Sequence, residues 1–173
     1  MYLISAYFDK KTENQVQSYI DDVANSCGNS FMKDNNVPPH ITVLAVETLH
    51  EEKLVETVDV AVSNIEKNKI EWVTVGAFPT VIFIQPVLNQ GLHNISCAIY
   101  DSMEGLPDTK MSKYYKPFSW LPHATIAKQL SEEEMRVAFD TMHKTFLPFK
   151  GEIVRLELAK KNPYRVIASW ELS

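Results

Sequence analysis

The segment Pro39-His40-Ile41-Thr42-Val43 returns as Pro122-His123-Ala124-Thr125-Ile126, and its surroundings return with it. Eight residues after the two histidines stand Thr48 and Ser131, with Glu51 and Glu134 three further on, the spacing of a helix capping box. Pro79 and Pro163 follow the histidines at 39 and 40 residues, each between two strand-like runs. Four landmarks in near-equal register predict an internal duplication, two similar α+β lobes in one body. No Gly/Ser-rich linker parts them. One domain over residues 1–173 is therefore expected, with lobes of about 1–88 and 89–173 and the first strand free to exchange between them.

Hydrophobic periodicity fills in the elements. Strands are predicted over 2–8, 40–46, 70–78, 80–87, 121–128, 150–159 and 164–172. Helices are predicted over 12–25, 48–68, 89–103 and 132–144, the first with Thr12 and Gln15 as its capping box. The hairpins turn at Phe78-Pro79-Thr80 and at Lys160-Lys161-Asn162-Pro163. Composition decides what such a body can bind. At a net charge of −5 it lacks the basic face of a duplex-DNA binder, but a local patch can still hold one or two phosphates. Cys27 and Cys97 stand outside any metal-ligand spacing and read as small buried residues. The apolar start, Met1 to Phe8, is short and runs at once into Asp9-Lys10-Lys11, which reads as a strand and not a signal peptide. No apolar run reaches membrane-spanning length. A cytoplasmic monomer is the default expectation.

Residues two apart on a strand share a face, so His40 pairs with Thr42 and His123 with Thr125, each pair set among apolar neighbours. Burying imidazole and hydroxyl unsatisfied costs on the order of 1–3 kcal/mol per group, and a cleft shared by both pairs removes that cost. The bare pattern carries little. A third H-x-T, His143-Lys144-Thr145, lies at a helix end without the proline and reads as a decoy. What carries weight is matching pairs in matching repeat contexts. Two imidazoles with pKa near ~6.5 suit phosphoester chemistry, one ring taking a proton from the nucleophile and the other giving one to the leaving oxygen. Thr42 and Thr125 would hold the non-bridging oxygens. No Asp, Glu or Cys lies beside either motif to complete a metal site, and phosphate-binding glycine loops are absent, so neither metal nor cofactor is expected.

The two motifs resemble the paired H-h-[ST]-h motifs of the two-histidine phosphoesterase superfamily, which includes bacterial 2′-5′ RNA ligase-like proteins and cyclic nucleotide phosphodiesterases. Val75-Gly76-Ala77-Phe78-Pro79 followed by Val81-Ile82-Phe83-Ile84 resembles that family's hairpin. The resemblance covers nearly the whole chain. It implies an α+β, bilobal fold of two antiparallel sheets flanking a central cleft, with helices on the outside. It implies metal-independent hydrolysis of 2′,3′-cyclic phosphate ends or 2′-5′ phosphodiesters of nucleotides or RNA. His40 and His123 would be the acid/base pair, and Thr42 and Thr125 the phosphate binders. Thr80 and Lys128 stand where the 2′-5′ RNA ligase-like branch carries arginines, which bears on the substrate more than on the reaction.

The competing reading is a nucleotide- or RNA-end-binding module that keeps the cleft without turnover. In either case the expected partner is a nucleotide or RNA terminus, not duplex DNA or a membrane. The loop from Lys110 to Trp120 interleaves three lysines with four aromatics and reads either as a substrate-binding segment or as a solvated loop. Tyr7 is a further stacking candidate.

Overall fold

The computed structural model describes all of residues 1–173. The elements run β1 (Tyr2–Phe8), α1 (Lys10–Cys27), α2 (Phe31–Asp34), β2 (Ile41–Glu47), α3 (Glu51–Val62), β3 (Asn68–Phe78) and β4 (Val81–Pro86). They continue α4 (Gln90–Ser102), β5 (Lys110–Met111), β6 (Ala124–Lys128), α5 (Glu132–Thr145), β7 (Phe149–Lys160) and β8 (Arg165–Glu171). The fold is α+β, as expected. α2 and β5 arise inside segments read as loops, and no helix is long and apolar enough to cross a membrane.

Helix starts show where local pattern yields to competing partners. Ser131 and Glu134 form the expected capping box on α5. On α1 the cap is Asp9 instead of Thr12. The Thr12 amide donates to Asp9 Oδ1 at 3.0 Å, and the Glu152 amide donates to Oδ2 at 2.9 Å. α3 starts at Glu51, not Thr48, because Glu51 is drawn away from its own helix. It accepts from Tyr2 at 3.1 Å and from Arg165 at 2.7 Å. Thr48 Oγ1 meanwhile accepts from the His50 amide at 3.1 Å.

The expected two sheets are one. All eight strands join an antiparallel network in the order β1-β2-β6-β4-β3-β7-β8, with β5 beside β2 and β1 also paired to β7. Six strands thus close on themselves. Two features cause this. β7 is long enough for its Phe149–Ile153 end to pair with β3 while its Ile153–Lys160 end pairs with β1. The single pairing Ile41↔Ala124 then joins the two motif strands.

Helices cover one face. α1 and α5 pack together over β6 and β4, while α3 and α4 pack over β8 and β2, so elements exchange across the boundary expected near residue 88. One cluster of 37 buried residues fills the space under the helices, with Ile4, Ile41, Leu44, Ile84, Ala124 and Leu156 fully enclosed. At ~25 cal/mol per Å² of apolar area this burial is the main favourable term, and it fixes which strand face turns away from the helices.

Candidate active site

The face turned away from the core carries the motif residues. Ile41 and Ala124 are wholly buried, and their neighbours His40, Thr42, His123 and Thr125 are all half-buried on the opposite face. The antiparallel pair Ile41↔Ala124 lies between His40 and Thr42 on one strand and between His123 and Thr125 on the other, so the two motifs stand side by side, close enough for the charge of His123 to act on His40. The four candidates from distant parts of the chain are thereby brought together. Both histidines sit one residue before their strands, a small correction to the reading of them as strand residues.

The two imidazoles are held alike. His40 Nδ1 donates to the carbonyl of Pro38 at 2.8 Å, and His123 Nδ1 donates to that of Leu121 at 2.8 Å. A carbonyl only accepts, so Nδ1 carries the proton and Nε2 is the unprotonated nitrogen of each neutral ring. Pro39 and Pro122, both buried, fix the turn that delivers each ring. Burial pushes the His40 pKa below its usual value, and the charges of Lys128 and His123 push it the same way, against the Pro38 carbonyl. Burial also lowers that of His123, against the Leu121 carbonyl. Both shifts favour the neutral ring.

The floor beside the motifs comes from neighbouring strands and was not read from the sequence, apart from Tyr7. On the His40 side, β1 and β7 extend two rows. Thr42 pairs with Ser5 and Ser5 with Glu157, while Tyr7 pairs with Arg155. Tyr7 packs on His40 with ring centroids 5.9 Å apart, and the Arg155 guanidinium lies over the Tyr7 ring at 4.7 Å. Arg155 Nη1 reaches Glu157 at 2.7 Å, with Glu157 almost wholly enclosed. Burial and the Glu157 charge push the Tyr7 hydroxyl far above its usual pKa, so it stays protonated.

On the His123 side, Thr125 pairs with Phe83 and Phe83 with Gly76, while Gln85 pairs with Thr74. His123 lies 5.0 Å from the Phe83 ring and edge-on to Phe78 at 5.4 Å. Gly76 is what admits the Phe83 ring, whose carbons occupy the space a Cβ there would need.

The 110–120 segment divides between its two readings. Trp120 is buried, and its Nε1 donates to the Thr42 carbonyl at 3.0 Å. Tyr115 is half-buried, and β5 pairs with β2, so the segment lies along the first motif strand. Tyr114 and Phe118 are exposed. The register shift between Ile82 and Phe83 sets Lys128 opposite Val81, two residues from Phe83, so Lys128 comes round to the face of Thr125; its Nζ rests over the Phe31 ring at 4.8 Å and its charge is felt at His40. The decoy His143 and Thr145 are exposed at the end of α5. Cys27 and Cys97 are half-buried on α1 and α4. No three His, Cys, Asp or Glu side chains converge to hold a metal ion. A separate cavity of about 540 Å³, lined by Asp9, Lys69, Glu71, Asn89, Lys150 and Glu152 among others, contains none of the motif residues. Its Asp9 is already committed to the α1 cap.

The sequence profile described as 2′-5′ RNA ligase superfamily matches residues 11–165. No curated protein matches the chain in sequence. Among solved structures, a phosphoesterase superposes with a TM-score of 0.65 at 15% identity, covering 99% of this chain and 97% of its own. A protein of Thermus thermophilus gives 0.64 at 14% identity, with the same coverage of 99% and 97%. Escherichia coli LigT complexed with 3′-AMP gives 0.60 at 12% identity, again covering 99% and 97%. At these identities the likeness is one of fold.

Proposed function

The chain belongs to the 2′-5′ RNA ligase superfamily, and from that premise we propose that it is a phosphoesterase opening 2′,3′-cyclic phosphate ends, or cleaving 2′-5′ phosphodiesters, of nucleotides or RNA. His40 and His123 act as acid and base, and Thr42 and Thr125 bind the phosphate. The observation that carries the reading is the Ile41↔Ala124 pairing, which sets two identically tethered imidazoles and two hydroxyls on one side of the sheet.

The chemistry follows from that geometry. The phosphate rests between the two strands, its non-bridging oxygens accepting from the threonine hydroxyls as charge builds on them. The unprotonated Nε2 of one ring takes a proton from water while the water oxygen bonds to phosphorus. Nε2 of the other ring, protonated once the anion is bound, gives its proton to the ribose oxygen as the P–O bond breaks. No step needs a metal. That Escherichia coli LigT has been crystallised with 3′-AMP and with phosphate supports a nucleotide-sized ligand for this fold.

The test is a panel of 2′,3′-cyclic nucleotides and 2′-5′-linked dinucleotides, assayed by chromatography in the presence of EDTA. The expected result is opening to a monophosphate or cleavage, lost in His40→Ala and in His123→Ala. Tight binding with no turnover across the panel would instead favour the non-catalytic module. Activity that disappears with chelator would overturn the metal-independent mechanism.

A further inference from the structure

We propose that Arg155, seated on Tyr7, forms a second anion subsite on the His40 side, which takes a phosphate adjacent to the one that reacts. The inference rests on the reading of this groove as a phosphoesterase site and narrows its substrate class.

Arg155 on β7 pairs with Tyr7 on β1, and the Tyr7 ring packs on that of His40, the residue before β2, on the face that carries both motifs. Neighbouring strands are ~4.8 Å apart, so the backbone of Arg155 stands about 10 Å from that of His40, and the Tyr7 ring lies between the guanidinium and the imidazole, 4.7 Å from the one and 5.9 Å from the other. That offset suits a phosphate beyond the reacting one, not the reacting one itself. The guanidinium is prepared for an anion. Glu157 engages Nη1, leaving the rest of a rigid five-donor fork, and the side chain is 35% exposed. The Tyr7 ring supports its plane from one side at 4.7 Å. Glu157 is itself enclosed, so the fork is held in place before any ligand arrives.

The ligand class follows from charge and shape. The Tyr7 hydroxyl is buried and held protonated beside the Glu157 charge, so the charged donors here are those of Arg155. A planar, permanently charged fork matches phosphate bidentately. The corresponding positions on the His123 side are Gln85, Thr74, Phe83 and Gly76, none of which carries charge. A second phosphate is therefore recognised on the His40 side alone, which gives the substrate a direction in the groove. The favoured substrate carries two phosphates, as does a 5′-phosphorylated nucleoside 2′,3′-cyclic phosphate or an oligonucleotide ending in one.

The test compares three substrates: a nucleoside 2′,3′-cyclic phosphate, the same with a 5′-phosphate, and a dinucleotide ending in the cyclic phosphate. Wild type is expected to prefer one or both doubly phosphorylated forms by tenfold or more in kcat/KM. Which form is preferred tells a terminal from an internucleotide phosphate. In Arg155→Met that ratio should fall towards one, chiefly through KM, and Arg155→Lys should fall between. Because Arg155→Met strands the Glu157 carboxylate, the double variant Arg155→Met/Glu157→Gln is measured beside it. A wild type indifferent to the second phosphate overturns the proposal. So does an Arg155→Met variant slowed equally on all three substrates. If nothing turns over, the phosphoesterase reading fails by itself, and calorimetry still decides the subsite. Adenosine 3′,5′-bisphosphate should then bind wild type at least tenfold tighter than 3′-AMP, and Arg155→Met without that difference. Equal affinities in wild type would reject it.

Discussion

The two motifs present the same side chains on different floors. Each offers an imidazole tethered through Nδ1 to the carbonyl two residues back, a threonine two residues on, and a buried proline before. Beneath, the positions correspond one for one but not in chemistry. Ser5 answers Phe83, Glu157 answers Gly76, Tyr7 answers Gln85 and Arg155 answers Thr74. The two motifs are alike in sequence and tethering, while the supporting strands differ, one side bearing ions and the other aromatic rings. On the proposed function, symmetry serves the chemistry and asymmetry the choice of substrate.

The sharpest way to break the symmetric part is to remove the imidazoles singly and together. His40→Ala and His123→Ala should each lower kcat by about 10²–10⁴, the usual worth of a positioned acid or base. Rings that serve one transition state act as a unit, so the double variant should lose no more than about the worse single. Steady-state turnover of a cyclic nucleotide measures this. If either single variant keeps a tenth or more of the activity, the halves are not equivalent at phosphorus, and one histidine is only a binding group.

How much of this could be read from the chain follows the same division. The motifs were legible because Pro-His-x-Thr recurs with its flanking elements, and the strand period then assigns both polar residues to one face. The Ser131–Glu134 cap was legible because its partners are three residues apart. The Thr48–Glu51 cap was not, since Tyr2 and Arg165, remote in sequence, take the Glu51 carboxylate. The floor was hidden for a related reason. Which residues stand beside His40 and His123 depends on strand register, and both β1–β2 and β4–β6 shift register beside the motifs. A faint signal existed in β7. Arg155-Leu156-Glu157-Leu158 alternates, with both leucines in the core, so its polar residues must share the other face. Nothing local says that this face is a groove and not open water. The closure of two expected sheets into one likewise turns on a single pairing, Ile41↔Ala124, between residues far apart in the chain.

A smaller effect separates the two floors by the kind of force each depends on. In Gly76→Ala the new methyl collides with the Phe83 ring, which must move against His123. Overpacking of this sort costs typically about 1–3 kcal/mol and should lower kcat several-fold, with little dependence on salt. Glu157→Gln keeps the shape but removes the charge held by Arg155. Its cost should be of similar size and should vary with salt and pH. Urea unfolding at low and high ionic strength checks both. Equal salt sensitivity in the two variants would mean that the floors do not differ as described.

The smallest expected effect is on stability against pH, and it ranks the halves. Unfolded imidazoles take up protons from about pH 6.5 downward, while burial in the groove holds both native rings below that value. Between those limits the unfolded state binds more protons, so stability falls as pH falls through about 6.5 and levels off beneath the native values. Carboxylates lowered in the native state, Asp9 and Glu51 among them, act in a separate window near and below their usual pKa of about 4. The loss between about pH 6.5 and 5 is thus a histidine signal. His40 should supply more of it, since Lys128 and His123 add to its burial while His123 has burial alone. Thermal unfolding at pH 8, 6.5 and 5.5 should show the slope flattened in both His40→Gln and His123→Gln, and further in the first. Sulfate, which keeps its double charge over this range, should flatten the wild-type slope as well, because an anion between the rings favours their protonated forms. A greater flattening in His123→Gln would place the more strongly suppressed imidazole on the aromatic side and reverse the ranking.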